Sequence, residues 1–186
     1  MYCRSKATLP AGPLLAAIAL CAIPALSVAP SLAQVPPAIA VPSGIAVLSF
    51  HAEGAQIYQC ESVSGKKLEW QAREPIATLI LDGETVGRHY AGMRWEHIDG
   101  SKFSWEHRDG SAVQGKVAAS APGATPDDIP WLRLDVTSES GGGAMYGMTA
   151  VQRINTKGGT AKGSCDSAGN YLSVPFSADY VFWGSD

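Results

Sequence analysis

The residues best suited to chemistry lie between positions 95 and 111, where the pattern Trp-Glu-His-x-Asp-Gly-Ser occurs twice, ten residues apart. Each copy supplies a histidine and carboxylates, which are the side chains that most often transfer protons or bind metals. The second copy contains His107 and Asp109, and a third histidine, His89, precedes the repeat. Whether these groups meet depends on the strands and turns that carry them.

The Asp-Gly dipeptides set the arrangement, because Asp-Gly between aromatic-rich runs is typical of the hairpin turns of a β-meander. We expect three-residue turns at 98–100 and 108–110, with Gly100 and Gly110 in the left-handed conformation. The apolar face then pairs Trp95 with Phe103, Met93 with Trp105, and Trp105 with Val113.

This register brings His89 beside Asp109 and diagonal to His107, provided that the strand runs through Ala91 and Gly92 without a bulge. A histidine pair with a carboxylate would form either a metal site or an acid/base pair. The structural alternative, which we favour, is a rim of the sheet where the histidines satisfy turn carbonyls. His97 would lie roughly 20 Å from His107, at about 3.3 Å per residue, and could not share a ligand with it.

Other candidates are weaker. Glu96 and Glu106 could suggest a glycosidase pair, but the register turns both toward solvent, with Glu96 opposite Lys102. Arg153 shares a strand face with Val151 and Thr149, and structural pairing with an acid such as Asp179 is favoured over ligand binding. The candidate ligand-binding residues are His89, His107, Asp109, Tyr90 and Arg153.

The commonest catalytic motifs are missing from the chain. There is no Gly-x-Ser-x-Gly, His-Glu-x-x-His, phosphate-binding Gly-x-x-x-x-Gly-Lys or EF-hand spacing. No motif therefore indicates a metal or a cofactor, and we expect none, although an enzyme is neither required nor excluded.

Short runs rich in β-formers, separated by Gly, Asp and Pro, predict an all-β single domain, either an antiparallel sandwich or a closed barrel with meander hairpins and almost no helix. We expect one helical turn at 125–128. The proline-rich residues 34–44 should form an extended leader that cannot hold a helix, followed by the domain at 45–186. Strands are predicted near 45–50, 55–61, 67–72, 76–81, 85–91, 93–98, 101–108, 112–119, 131–137, 144–155, 170–174 and 178–183.

The first 33 residues have the charged, apolar and small-residue order of a secretory signal peptide. We expect cleavage after Ala33, because cleavage after Ala29 would leave Pro30 first. A lipoprotein is disfavoured by Leu20 before Cys21, and a membrane span by the short apolar run. Removal changes the formal charge from −3 to −5, which argues against nucleic acid or an anionic membrane as partner. We expect an exported protein, periplasmic or secreted, without membrane insertion after cleavage.

Cleavage would leave Cys60 and Cys165 as the only cysteines. In an oxidising compartment they are expected to form one disulfide. Two buried free thiols or a two-cysteine metal site are the alternatives, although no Cys-x-x-Cys or nearby histidine spacing supports zinc.

Short motifs occur at residues 54–60, 70, 75–79 and 87–92, and continue at 129–132, 151–159, 165 and 174–182. Together, over residues 50–183, these motifs resemble the secreted bacterial and fungal family known as domain of unknown function 3455. The resemblance implies export, a single β-rich domain and pairing of Cys60 with Cys165, and it implies no particular activity. The chain departs from the family pattern at Met93, where proline is common, and in having two Trp-to-Ser segments where the family has one. The extra ten residues resemble an inserted or duplicated hairpin arm.

The aromatic residues and the missing motifs favour a non-catalytic domain that binds a glycan, an envelope component or a small molecule. Exposed Trp95 or Trp105 would support this hypothesis, and sealing both in the core would weaken it. The alternatives are a hydrolase or metal-assisted enzyme using His89, His107 and Asp109, and a structural or assembly protein of the envelope.

Overall fold

Eight antiparallel strands, each hydrogen-bonded to the next, close into a barrel in the computed structural model of the chain. The structure describes residues 35–63, 67–91 and 103–185. The eighth strand pairs with the first and completes the ring, which confirms the predicted all-β fold in its barrel form. The strands are β1 (Ile45–Val63), β2 (Lys67–Leu81), β3 (Glu84–Ala91), β4 (Phe103–His107), β5 (Ala112–Ala121), β6 (Trp131–Ser140), β7 (Met148–Gly158) and β8 (Tyr171–Gly184).

Three strands are longer than predicted, because β1, β2 and β8 each join two segments that the sequence appeared to separate. Gly54 lies within β1, where a side chain would collide with the backbone of β2. Pro75 is close to a bulge between β1 and β2, and Pro175 lies just beyond the β7–β8 ladder. Both positions tolerate a residue without an N–H group, so neither proline ends its strand.

Two hairpin turns follow from their sequences. Asp82 and Gly83 both have positive φ, as a two-residue type I′ turn requires. Residues 108–110 form the predicted three-residue turn, in which Gly110 has a φ of +86°, and Trp105 lies opposite Val113 as expected. The companion turn at 98–100 and the predicted strand at 93–98 lie outside the described residues.

The barrel has two ends that differ in their connections. The hairpin end, as we call it, carries the turns at 82–83 and 108–110 and the 141–147 loop. The cavity end carries the loops 122–130 and 159–170.

The interior is filled by inward-facing side chains from all eight strands, and Trp105 at its centre is fully buried. Aromatic edges meet Trp105 from two sides, with ring centroids 5.5 Å away for Tyr180 and 5.9 Å away for Phe182. Such edge-to-face contacts add to the gain from burying large apolar surfaces. Trp105 is therefore a core residue and offers no exposed binding face.

The leader differs from its expected extended form, because Pro37–Ile39 make a short 3-10 helix. Proline at the start of a helix loses no needed hydrogen bond and presets φ. Ile39 is fully buried against Trp131 on the outside of the barrel, and this contact holds the turn in place. The expected helical turn at 125–128 is a hydrogen-bonded turn without a helix.

A disulfide joins Cys60 near the end of β1 to Cys165 in the 159–170 loop. Two backbone hydrogen bonds reinforce the link: Cys60 donates to Asn170 O and accepts from Gly169 N, each at 2.8 Å. The long loop is thereby fastened to the cavity end of the barrel. Within the described part of the chain, no helix is long and apolar enough to cross a membrane.

Candidate functional site

The five residues proposed from sequence lie in four separate surroundings. His89 is sealed in the interior, Arg153 lies in the interior toward the cavity end, His107 and Asp109 meet at the hairpin end, and Tyr90 is on the outer face. They do not form one centre. Among the described residues, no group of three or more His, Cys, Asp or Glu side chains could hold a metal ion.

His89 lies opposite Trp105, so the predicted pairing of Trp105 with Met93 and of His89 with Asp109 is wrong. The strands β3 and β4 pair four residues away from the predicted register, because the segment between them is longer than the single turn assumed. The His89 ring stacks on Trp105 with centroids 4.7 Å apart. His89 remains diagonal to His107 across the strand pair.

The chemistry of His89 follows from its burial. Its Nδ1 atom is 2.8 Å from the carbonyl oxygen of Ser104 and donates the hydrogen bond, because a carbonyl can only accept. Loss of hydration lowers the pKa of His89 to about 3. The ring is therefore neutral at physiological pH, with no solvent route for proton transfer, and Nε2 has no hydrogen-bond partner among the described atoms.

Asp109 connects the two loops at the hairpin end. Its carboxylate accepts hydrogen bonds from Ser111 N at 2.9 Å, Ser111 Oγ at 2.6 Å and Ala144 N at 2.8 Å, and it lies 3.0 Å from His107 Nδ1. The Ser111 hydroxyl, together with these other donors, holds the pKa of Asp109 well below its ordinary value. His107 and Asp109 therefore help to hold the two loops of the hairpin end together.

Tyr90 belongs to the outer surface of β3. Its hydroxyl donates to Glu106 Oε2 at 3.1 Å, and the same oxygen accepts from Arg88 Nη2 at 2.7 Å. Glu106 thus points outward as expected, but it is paired rather than free in solvent. Neither residue approaches the barrel interior.

Arg153 points into the barrel and is only 5% exposed. Its Nε and Nη2 atoms donate to the carbonyl oxygen of Pro130 at 3.0 and 2.8 Å. The suggested pairing with Asp179 is wrong, because Asp179 follows the outward alternation of β8 and binds His51 and Asn155 instead. The described residues provide no carboxylate partner for Arg153.

A cavity of about 150 Å³ opens beside this guanidinium at the cavity end of the barrel. Its polar lining includes Gln56 and Tyr58 of β1, both inward-facing and buried. Its walls are otherwise largely apolar. The remaining lining residues are Ala72, Arg73, Pro75, Phe103, Ile129, Pro130 and Arg153.

The disulfide-linked loop forms part of this arrangement, since the Tyr58 hydroxyl donates to Gly159 O at 2.7 Å. Burial raises the pKa of Tyr58 and raises that of Tyr180 to about 12, so both phenols are neutral at pH 7. The hydroxyl of Tyr180 is near Arg153, but it makes no hydrogen bond to a described residue.

Sequence reasoning missed Gln56, Tyr58 and Phe103 as cavity residues. The available signal was the alternation of inward positions from Phe50 through Ala52 to Tyr58, which places Gln56 as a polar residue on an apolar face. The predicted break of β1 at residues 51–54 concealed that alternation.

Comparison with known proteins supports the resemblance drawn from the motifs. Searches of curated proteins and of solved structures found no match. A family model described as "Protein of unknown function (DUF3455)" matches residues 42–184, a range that covers most of the chain and all eight strands. The chain therefore belongs to the family of proteins of unknown function DUF3455.

Proposed function

We propose that this protein is an exported, non-catalytic domain that binds a small molecule in the cavity beside Arg153. The observation that carries the proposal is the cavity of about 150 Å³, which combines apolar walls with three buried polar side chains, Gln56, Tyr58 and Arg153. Binding sites commonly combine an apolar lining with a few placed polar groups. Eight-stranded barrels have an interior that side chains fill or that holds one small ligand.

Among the described residues, no reactive cluster faces the cavity, and this favours binding over catalysis. His89 is neutral and sealed, and the Asp109 carboxylate is occupied by hydrogen bonds from the backbone and from Ser111. A general base must reach the proton that it removes, and neither group has free access to a ligand in the cavity. The disulfide supports export, because disulfides persist in oxidising compartments.

Plugging the cavity tests the proposal. Ala72 lines the cavity and is exposed, so Ala72→Trp should fill the opening without disturbing the core. Thr85→Trp, at an exposed position of β3 outside the lining, is the matched control. Binding of benzene-sized molecules would be followed by amide chemical shifts in nuclear magnetic resonance spectra.

We expect saturable shifts around Tyr58 and Arg153 in the wild type and in Thr85→Trp, and at least a tenfold loss of affinity in Ala72→Trp. Unchanged binding in Ala72→Trp would contradict the proposed site. A failure of benzene, benzyl alcohol and benzoate alike to bind at millimolar concentrations would contradict the proposed function.

A further inference from the structure

Building on the proposed function, we infer that the ligand is a small organic anion whose carboxylate pairs with Arg153. Arg153 is a cation enclosed in the barrel interior, and no described residue supplies an anion beside it.

The Arg153 guanidinium is only 5% exposed. Its hydrogen bonds go to the neutral carbonyl oxygen of Pro130, and no salt bridge to Arg153 occurs among the described residues. Burying an unpaired charge is unfavourable, and buried charges in proteins are normally paired. A ligand anion would supply the missing partner.

The other polar groups around the cavity do not neutralise this charge. Tyr58 and Tyr180 are neutral at physiological pH because burial raises the pKa of each phenol. No acidic residue occurs among the described lining residues. Arg73 at the rim adds a second positive charge, although it already donates to Gln59 and Tyr171 and lies 3.5 Å from Glu74.

The free N–H donors beside the cavity also suit a ligand that accepts hydrogen bonds. A guanidinium has five N–H donors, and the hydrogen bonds to Pro130 O use only Nε and Nη2 of Arg153. Nη1 makes no hydrogen bond to a described residue, although the neutral Tyr180 hydroxyl is near the guanidinium. Gln56 Nε2 makes a single hydrogen bond, to Ile57 O at 3.2 Å, so its second N–H remains available. A carboxylate can accept from two such donors at once.

The size and walls of the cavity limit the rest of the ligand. A cavity of about 150 Å³ holds a molecule of roughly benzene size. Phe103, Ile129, Pro75 and Pro130 offer apolar contacts, which an inorganic anion would leave unused. A single carboxylate on a small ring or short hydrocarbon satisfies both the charge and the walls, and benzoate is the simplest probe of that class.

The test compares benzoate with benzyl alcohol, its neutral analogue of similar size, and with inorganic phosphate. Titrations would use the disulfide-bonded protein at pH 7 and low salt, with binding measured by calorimetry and amide chemical shifts. The variants are Arg153→Met, which removes the charge, and Arg153→Lys, which keeps it without the planar fork. Arg88→Met is the matched control, because Arg88 is paired with Glu106 on the outer face.

We expect benzoate to bind at least tenfold more tightly than benzyl alcohol. Arg153→Met should weaken benzoate binding roughly 10- to 100-fold, the usual range for a charged hydrogen bond, and should change benzyl alcohol binding by less than threefold. Arg153→Lys should retain part of the preference for benzoate, and Arg88→Met should behave as the wild type.

Equal affinities for benzoate and benzyl alcohol, or binding of benzene alone, would overturn the inference and leave the proposed function standing. Failure of benzoate, benzyl alcohol and benzene alike to bind would overturn the proposed function itself. Phosphate binding as tight as benzoate binding would also overturn the inference of an organic acid. If Arg153→Met does not fold, the comparison of the two ligands on the wild type and on Arg153→Lys decides the result.

Discussion

Acidification should destabilise the barrel through His89. In the folded chain this ring is fully buried and its Nδ1–H is bound to Ser104 O, and burial lowers its pKa from 6.5 to about 3. The unfolded chain can take up a proton near pH 6.5, whereas the folded chain does so only near pH 3. Stability from this group is therefore fully present above pH 6.5 and is lost as the pH falls toward 3.

The size of the effect follows from the two pKa values. Each pH unit between them changes the free energy of unfolding by about 1.4 kcal/mol. Lowering the pH from 7.5 to 5 should therefore cost about 2 kcal/mol from His89 alone, and reaching pH 4 about 3 kcal/mol. Such losses are a substantial part of the stability of a typical domain.

Urea unfolding at pH 7.5, 6 and 5, followed by tryptophan fluorescence, would measure the loss. His89→Asn is the informative variant, because its amide can donate to Ser104 O in place of Nδ1 but does not take up a proton. His51→Asn is the control, since His51 is exposed and bound to Asp179. Between pH 7.5 and 5, the free energy of unfolding should fall by about 2 kcal/mol less in His89→Asn than in the wild type. An equal fall in the two proteins would show that His89 is not the group responsible.

Three further predictions concern stability. Reducing the Cys60–Cys165 disulfide should lower the free energy of unfolding by about 4–5 kcal/mol in the chain-entropy model, because the cysteines are 105 residues apart; equal urea midpoints with and without dithiothreitol would contradict it. Gly54→Ala should cost about 1–3 kcal/mol, since its methyl group would collide with Ile76 O. Gly142→Ala, with open space around it, should stay within about 0.5 kcal/mol of wild type, and equal urea midpoints for the two variants would exclude a collision. Trp105→Ala should cost about 3–5 kcal/mol by circular dichroism, and a loss below about 1 kcal/mol would show that Trp105 is not the centre of the core.

Local pairings could be predicted from sequence, and more distant ones could not. The 108–110 turn is encoded by Asp109 and Gly110, and it fixes the pairing of Trp105 with Val113. The pairing of Trp105 with His89 depends on the whole connection between β3 and β4, whose length permits several registers. A shift of four residues keeps every side chain on its face, so alternation alone could not reveal the error.

The cavity residues also include positions that could be predicted from sequence and contacts that could not. Alternation along β7 places Arg153 on a face with Val151, and alternation along β8 places Asp179 opposite to Tyr180, so the outward position of Asp179 was available from sequence. The contact of Arg153 with Pro130 O was not available, because it depends on the closure of the barrel and the course of the 122–130 loop. Closure also decides that Gln56 and Tyr58 lie beside Arg153 of β7 and the end of the 122–130 loop.

The pairing of β1 with β8 has a consequence for synthesis, because the barrel cannot close until its last strand has been made. Roughly 110 residues separate the end of β1 from the start of β8, and at about 5–20 residues per second this is a delay of about 5–20 s. Throughout that interval one edge of the longest strand has no native partner. Unpaired strand edges invite association with other chains, so the nascent protein carries a hazard of association that the closed ring does not.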